Sequence, residues 1–65
     1  MEIIINGKKE NLNARTIADI VKLRELEQNG LVIEHNGNIV KQEEWHASQI
    51  QAGDKLELLS FVGGG

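Results

Sequence analysis

Apolar residues along the chain come in short groups set apart by Asn-Gly and Gly-Asp pairs, and the spacing within each group predicts its element. Glu2 to Asn6 holds Ile3-Ile4-Ile5, a β-branched run that stiffens the side chains and suits a strand. Asn6-Gly7 accepts the positive φ angles of a tight hairpin, and polar Lys8 to Leu12 then continues as an edge strand. Thr16 stands before Ile17-Ala18-Asp19, where a hydroxyl and a carboxylate three residues on cap a first helical turn. Ile17, Ile20 and Val21 share a helical stripe, but its next position is Arg24, while Leu23 and Leu26 drift to one side. A helix is therefore expected to start at Ile17, keep its stripe to about Leu23 and run on to its end at Asn29-Gly30, which closes it through a left-handed residue. Leu31 to His35 reads as a strand, Asn36-Gly37 as a turn and Ile39-Val40 as a short return strand. Gln42 to Ser48 lacks a strand period and reads as a short helical turn whose Trp45 closes one end of the core. Gly53-Asp54 turns into Lys55 to Val62, the final strand, after which only glycine remains.

A single helix covers one face of a four- or five-stranded sheet, giving a two-layer α+β roll. The order hairpin, helix, late strands is that of the β-grasp, or ubiquitin-like, fold, in which the first and last strands pair in parallel at the centre. At 65 residues the chain is one domain with a thin core. The division expected is a β-grasp domain over 1–62 and a flexible glycine tail over 63–65. With 40% hydrophobic residues the chain is too apolar to stay disordered. It has no cysteine and two histidines, His35 and His46, so no disulfide framework, thiol nucleophile or tetrahedral zinc set is expected. A net charge of −3 disfavours nucleic acid and favours basic partners. Nothing in the sequence spans a membrane, and the start lacks a signal-peptide pattern, so a cytoplasmic protein, monomeric when free, is expected.

Strand parity assigns the surface. With Leu56 and Leu58 turned toward the helix, Glu57, Leu59 and Phe61 face away; Leu31 and Ile33 inward put Val32 outward, and Ile3 with Ile5 inward puts Ile4 outward. The open face is thus expected to carry Ile4, Val32, Leu59 and Phe61 as an apolar patch of the kind that marks partner surfaces, unless a bulge reverses the parity. Past Phe61, Val62-Gly63-Gly64-Gly65 has almost no side chain to bury and is expected to be mobile and exposed. Fully extended, such a segment reaches about 13 to 14 Å, enough to thread a narrow channel in which a Cβ would obstruct. Taken alone, these residues read more simply as the fraying of an ordinary terminus.

Taken together, Ile3-Ile4-Ile5-Asn6-Gly7, Thr16-Ile17-Ala18-Asp19-Ile20-Val21, Asn36-Gly37-Asn38-Ile39-Val40 before Trp45, Ala52-Gly53-Asp54-Lys55-Leu56-Glu57-Leu58-Leu59 and the ending Phe61-Val62-Gly63-Gly64-Gly65 resemble the sulfur carrier proteins of thiamin biosynthesis, the ThiS family. Arg24 and Lys41 depart from it, standing where the family usually has an apolar residue and often a proline. The resemblance implies a substrate protein rather than an enzyme. An E1-like adenylating enzyme would use ATP to activate the Gly65 carboxylate, and a cysteine desulfurase relay would convert it to a thiocarboxylate. Thiazole synthase would then draw its sulfur from that group. Gly63 and Gly64 would thread the partner's active site, and Phe61, Leu59, Val62, Val32 and Ile4 would dock it. No cofactor would be bound by the chain itself.

Other readings remain open at this level. They are the related carrier for molybdopterin synthesis, a non-covalent interaction module that uses its sheet face, and a ubiquitin-like modifier joined to lysines. No Ser, His and Asp set or carboxylate pair has a spacing that calls for catalysis. Glu25, Glu27, Glu43 and Glu44 read as solvated faces, and glycines 7, 30, 37 and 53 as turn residues, none in a phosphate-binding pattern.

Overall fold

The computed structural model describes residues 1–61. Its elements run β1 (Glu2–Ile5), β2 (Lys8–Asn11), α1 (Ile17–Leu23), β3 (Leu31–His35), β4 (Asn38–Val40), a 3₁₀ turn (Gln42–Glu44) and β5 (Lys55–Ser60). The sheet order is β2-β1-β5-β3-β4, with β1 and β5 parallel and every other pair antiparallel. The architecture is the expected β-grasp roll, with the polar strand β2 at an edge. The last strand stops at Ser60 rather than Val62; Val62 and the glycine tail, and with them the expected boundary after 62, lie outside the described residues.

Two of the three Asn-Gly pairs form hairpin turns with consecutive positive φ angles, 50° and 82° at Asn6-Gly7 and 51° and 89° at Asn36-Gly37. These angles match the right-handed twist of the flanking strands, and asparagine is the side-chain residue that best tolerates them. The strands' inner faces meet α1 in a core of Ile3, Ile5, Ile17, Ile20, Val21, Ile33, Ile50 and Leu56, with Trp45 at one end. Trp45 is buried as expected and donates its indole N–H to the Val40 carbonyl at 2.9 Å, so its one polar atom is not stranded.

The start of α1 is fully tied. Thr16 accepts from the Asp19 amide and Asp19 accepts from the Thr16 amide, completing a capping box. The Ile17 and Ala18 amides reach the carbonyls of Ser48 and Trp45, so the 45–50 segment closes over the helix end. The helix stops early, however, and Asn29-Gly30 has no part in ending it. Glu25 takes φ 51° just past the cap residue Arg24, its amide bonds to the Lys22 carbonyl, and the Leu26 amide bonds to that of Val21. This is a Schellman ending built on glutamate, with Leu26 folded back against the core. The drift of the apolar stripe past Val21 is its sequence counterpart.

The departures noted at Arg24 and Lys41 both have local reasons. Arg24 is exposed and its guanidinium meets Glu10 Oε1 at 2.7 Å, tying the helix end to the edge strand through charge instead of apolar contact. Lys41 stands at φ −65°, ψ 146°, the backbone a proline would impose.

Because a Cβ-bearing residue at positive φ costs roughly 1 to 2 kcal/mol, Glu25→Gly is expected to raise stability by up to about 1 kcal/mol after the added freedom of the unfolded chain is counted. Thermal unfolding should show an increase of several degrees, on the order of 4 to 8 °C per kcal/mol for a domain of this size. An unchanged or lower midpoint would show that the Glu25 side chain contributes more than its backbone strain costs.

Candidate functional site

The site is built on β5, the central strand. Its odd residues turn their backbone groups toward β3: the Asn36 amide bonds to the Lys55 carbonyl at 2.8 Å and the Phe61 amide to the Gly30 carbonyl at 2.7 Å. Its even residues turn toward β1, where the Asn6 amide bonds to the Leu56 carbonyl at 2.9 Å. β1 then ends, and the Asn6 side chain takes over the ladder. Its Oδ1 accepts from the Leu58 amide at 2.7 Å and its Nδ2 donates to the Leu58 carbonyl at 3.3 Å. Asn36 does the same at the start of the strand, accepting from the Lys55 amide at 2.9 Å. The two turn asparagines thus fasten opposite ends of the strand that leads to the glycine tail.

The outer sheet face is banded. Register sets Ile4 between Lys9 and Lys55, Glu34 between Glu57 and Ile39, and Val32 beside Leu59, with Phe61 beyond. Four of the expected docking residues therefore do face outward: Ile4 and Val32 are half-buried, Leu59 is 41% exposed and Phe61 66%. They do not form one patch. Leu59 is four strand positions from the level of Ile4, about 13 Å, and the Glu34–Glu57 band lies between. Val32, Leu59 and Phe61 are grouped at the end from which the tail departs; Ile4 stands in the basic band. Val62, Gly63, Gly64 and Gly65 lie outside the described residues. Ile39, 68% exposed beside Glu34, adds an apolar group on the outer edge that the sequence parity of β4 would have supplied.

At the opposite end of the sheet, sequence reasoning left His35 without a partner, and the fold supplies one. Its Nε2 lies 2.7 Å from Asp54 Oδ2, both side chains being largely covered. Asp54 also accepts from the Gln51 amide at 2.8 Å and from Asn36 Nδ2 at 3.2 Å. Among the described residues no group of three or more histidine, cysteine or carboxylate side chains is placed to hold a metal. No helix of the described residues is long and apolar enough to cross a membrane. What the described residues offer is a central strand tied by asparagine side chains and an apolar group of Val32, Leu59 and Phe61 at the end where β5 stops.

Comparison with known proteins agrees with the fold. A model of the ThiS family matches residues 3–65. The sulfur carrier protein ThiS of Bacillus subtilis is 33% identical over 63 residues, covering 94% of this chain and 96% of that one. The crystal structure of the thiamine biosynthesis protein ThiS from Geobacter metallireducens superposes with a TM-score of 0.85 at 26% identity, covering all of both chains. The solution structure of a thiamine biosynthesis protein from the same organism gives 0.81, also at 26% identity, over the whole of this chain and 88% of that one. A thiazole synthase of Paramagnetospirillum magneticum is 30% identical over 66 residues, but the chain spans only 20% of that protein's length. The chain belongs to the ThiS family, small sulfur carriers of thiamin biosynthesis rather than enzymes.

Burial pushes the Asp54 carboxyl up, but the hydrogen bonds from His35, Gln51 and Asn36 and the charge of His35 outweigh it and hold the group below its ordinary 3.8. Asp19 is likewise held down, by the amides of Arg15 and Thr16. A depressed carboxylate stabilises the fold above its unfolded value, and that contribution disappears as the pH falls below about 3.9 through the folded value. Asp54→Asn is therefore expected to lower stability near neutrality and to flatten the acid limb of a denaturation-against-pH curve. A variant with an acid limb as steep as the parent's would show that Asp54 is not held down.

Proposed function

We propose that the reacting group of this carrier is the carboxylate of Gly65. A C-terminal carboxyl has a pKa of about 3.3 to 3.7, so at neutral pH it is an anion and resists nucleophilic attack. An E1-like enzyme would join it to the AMP portion of ATP with release of pyrophosphate, forming a mixed anhydride with a good leaving group. A persulfide on a cysteine of the desulfurase relay would attack the acyl carbon and expel AMP, and a second relay thiol would cleave the resulting acyl disulfide, leaving the thiocarboxylate and a disulfide on the relay; thiazole synthase would take the sulfur from the thiocarboxylate. ATP is the adenylating enzyme's substrate in this scheme, and the carrier holds no cofactor of its own. A thiol is not required of the carrier, since its terminal carbon takes the sulfur; the absence of cysteine is consistent with that.

The observation that carries this reading is the continuity of the family match through Val62-Gly63-Gly64-Gly65 with a strand fastened at both ends just before it. Gly63 and Gly64 would thread the partner's active site, where side chains would block close approach of backbone. Val32, Leu59 and Phe61 would dock beside the channel mouth, with Val62 at its entrance, and Ile4 would touch the partner only at the rim. Holding the carboxylate beside bound ATP is where the rate advantage arises, because positioning removes the entropy cost of a bimolecular encounter. The resemblance of the chain to a stretch of a thiazole synthase supports that enzyme as one recipient. The reactions belong to the cytoplasm, where ATP and desulfurase sulfur are available.

Incubation with ATP, the adenylating enzyme and a desulfurase-derived sulfur source should shift the intact chain's mass by replacement of one oxygen with sulfur, localised to Gly65 by fragmentation. Removal of Gly65 should abolish the shift while leaving the unfolding midpoint unchanged. A mass gain that persists without Gly65 would assign the sulfur to another group.

A further inference from the structure

The chain holds three Asn-Gly pairs, Asn6-Gly7, Asn29-Gly30 and Asn36-Gly37. In an unfolded chain all are chemically labile, because glycine has no Cβ to hinder its nitrogen from closing on the asparagine side chain. The fold treats them differently. Both amide atoms of Asn6 are bonded to Leu58, Oδ1 at 2.7 Å and Nδ2 at 3.3 Å. At Asn36, Oδ1 accepts from the Lys55 amide at 2.9 Å and Nδ2 donates to Asp54 at 3.2 Å. Each of these amide groups must let go of a distant part of the sheet before its carbon can meet the glycine nitrogen. Asn29-Gly30 stands outside the hairpins. The Leu31 amide bonds to the Gln28 carbonyl at 3.1 Å, Gly30 has φ 79° and Asn29 keeps a negative φ, the signature of a type II turn. Both residues are exposed. The peptide between them takes no part in the bond that closes the turn, and glycine after it leaves it free to rotate.

We infer that Asn29 is a site of spontaneous modification in the folded chain, and that its product loosens Phe61. The Gly30 backbone nitrogen attacks Asn29 Cγ; a C–N bond forms as that nitrogen loses its proton, and the Cγ–Nδ2 bond breaks with release of ammonia. Water then opens the cyclic succinimide. Opening on the Cγ side leaves aspartate. Opening at the other carbonyl leaves isoaspartate, in which the main chain runs through the side-chain methylene and is one carbon longer. Overall a water is consumed and an ammonia released, and nothing is oxidised or reduced. Either product places a carboxylate, ionised at neutral pH, near Glu27, whose Oε1 accepts from the Asn29 amide at 3.2 Å. The isoaspartyl form does more. Its extra carbon lies immediately before Gly30, whose carbonyl takes the Phe61 amide at 2.7 Å. Phe61 belongs with Val32 and Leu59 to the apolar end of the outer face. On the carrier reading, on which this last step rests, the modified chain presents a looser docking end.

Incubation of the folded chain in mildly alkaline buffer, followed by peptide mapping with mass spectrometry, should find the amide-to-acid change at Asn29 about tenfold or more ahead of Asn6 and Asn36. In denaturant the three should react at similar rates. Asn29→Gln, whose extra methylene slows ring closure, should lack the early product. Equal rates in the folded chain, earlier reaction at Asn6 or Asn36, or an order that persists in denaturant would overturn the site. The purified isoaspartyl chain should keep the parent's circular dichroism and exchange its Phe61 amide about tenfold faster. A Phe61 amide as protected as the parent's would overturn the loosening. As a substrate of the ATP-dependent adenylating enzyme, the isoaspartyl chain should show a KM raised several-fold with kcat retained. An unchanged KM would overturn the effect on docking, whereas an unmodified parent that is not adenylated at all would overturn the carrier reading and leave the reaction at Asn29 standing.

Discussion

Everything in this small fold depends on keeping β5 paired on both sides from Lys55 to Leu58. β5 lies at the centre of the sheet, and a central strand with unmet N–H or C=O groups would carry a desolvation cost of about 1 to 3 kcal/mol for each. Its two neighbours are short, and each runs out before β5 does. Asparagine completes both. Asn6 and Asn36 occupy the left-handed positions of their hairpin turns, and their side-chain amides extend the ladders to Leu58 and Lys55. One residue type thus meets two demands, the φ angle of the turn and the pairing of a strand distant in sequence. The strand so fixed is the one that leads into Val62-Gly63-Gly64-Gly65.

The two sides of the sheet are used differently. The inner face is spent on cohesion: isoleucines from β1, α1 and β3 close around Leu56, with Trp45 at the end and the 45–50 segment over the helix start. The outer face contributes little to that core and is sorted instead into basic, acidic and apolar bands. Glu34 and Glu57 stand directly opposite each other, an arrangement that costs stability. That face is left over by folding, since its apolar groups Val32, Leu59 and Phe61 take no part in the core.

Much of this was legible in the chain because it rests on local rules. The Ile3-Ile4-Ile5 run, the Thr16–Asp19 cap, the Asn-Gly turns and strand parity depend on neighbours within a few residues, and they gave element order, fold class and the outward direction of Val32, Leu59 and Phe61. What sequence could not show depends on pairing across the fold. The Asn6 contact with Leu58 joins residues 52 apart, and the His35 contact with Asp54 joins residues 19 apart. Parity alone put Ile4 into one patch with Leu59, whereas register moves it about 13 Å away along the sheet. The helix end was misplaced at Asn29-Gly30 because the left-handed residue there is Glu25, a type that gives no sign of the role.

The central claim is that the turn asparagines hold β5 in place, and equilibrium unfolding of Asn6→Gly, Asn36→Gly and the double variant tests it most directly. Glycine preserves the positive φ of each turn, so what is lost is the side-chain hydrogen bonding, to Leu58 from Asn6 and to Lys55 and Asp54 from Asn36, together with the added freedom of the unfolded chain. Each single variant should be less stable by about 1 to 2 kcal/mol, with faster amide exchange at Leu58 in the first and at Lys55 in the second. Variants as stable as the parent, with both amides still protected, would show that the sheet holds its central strand without them.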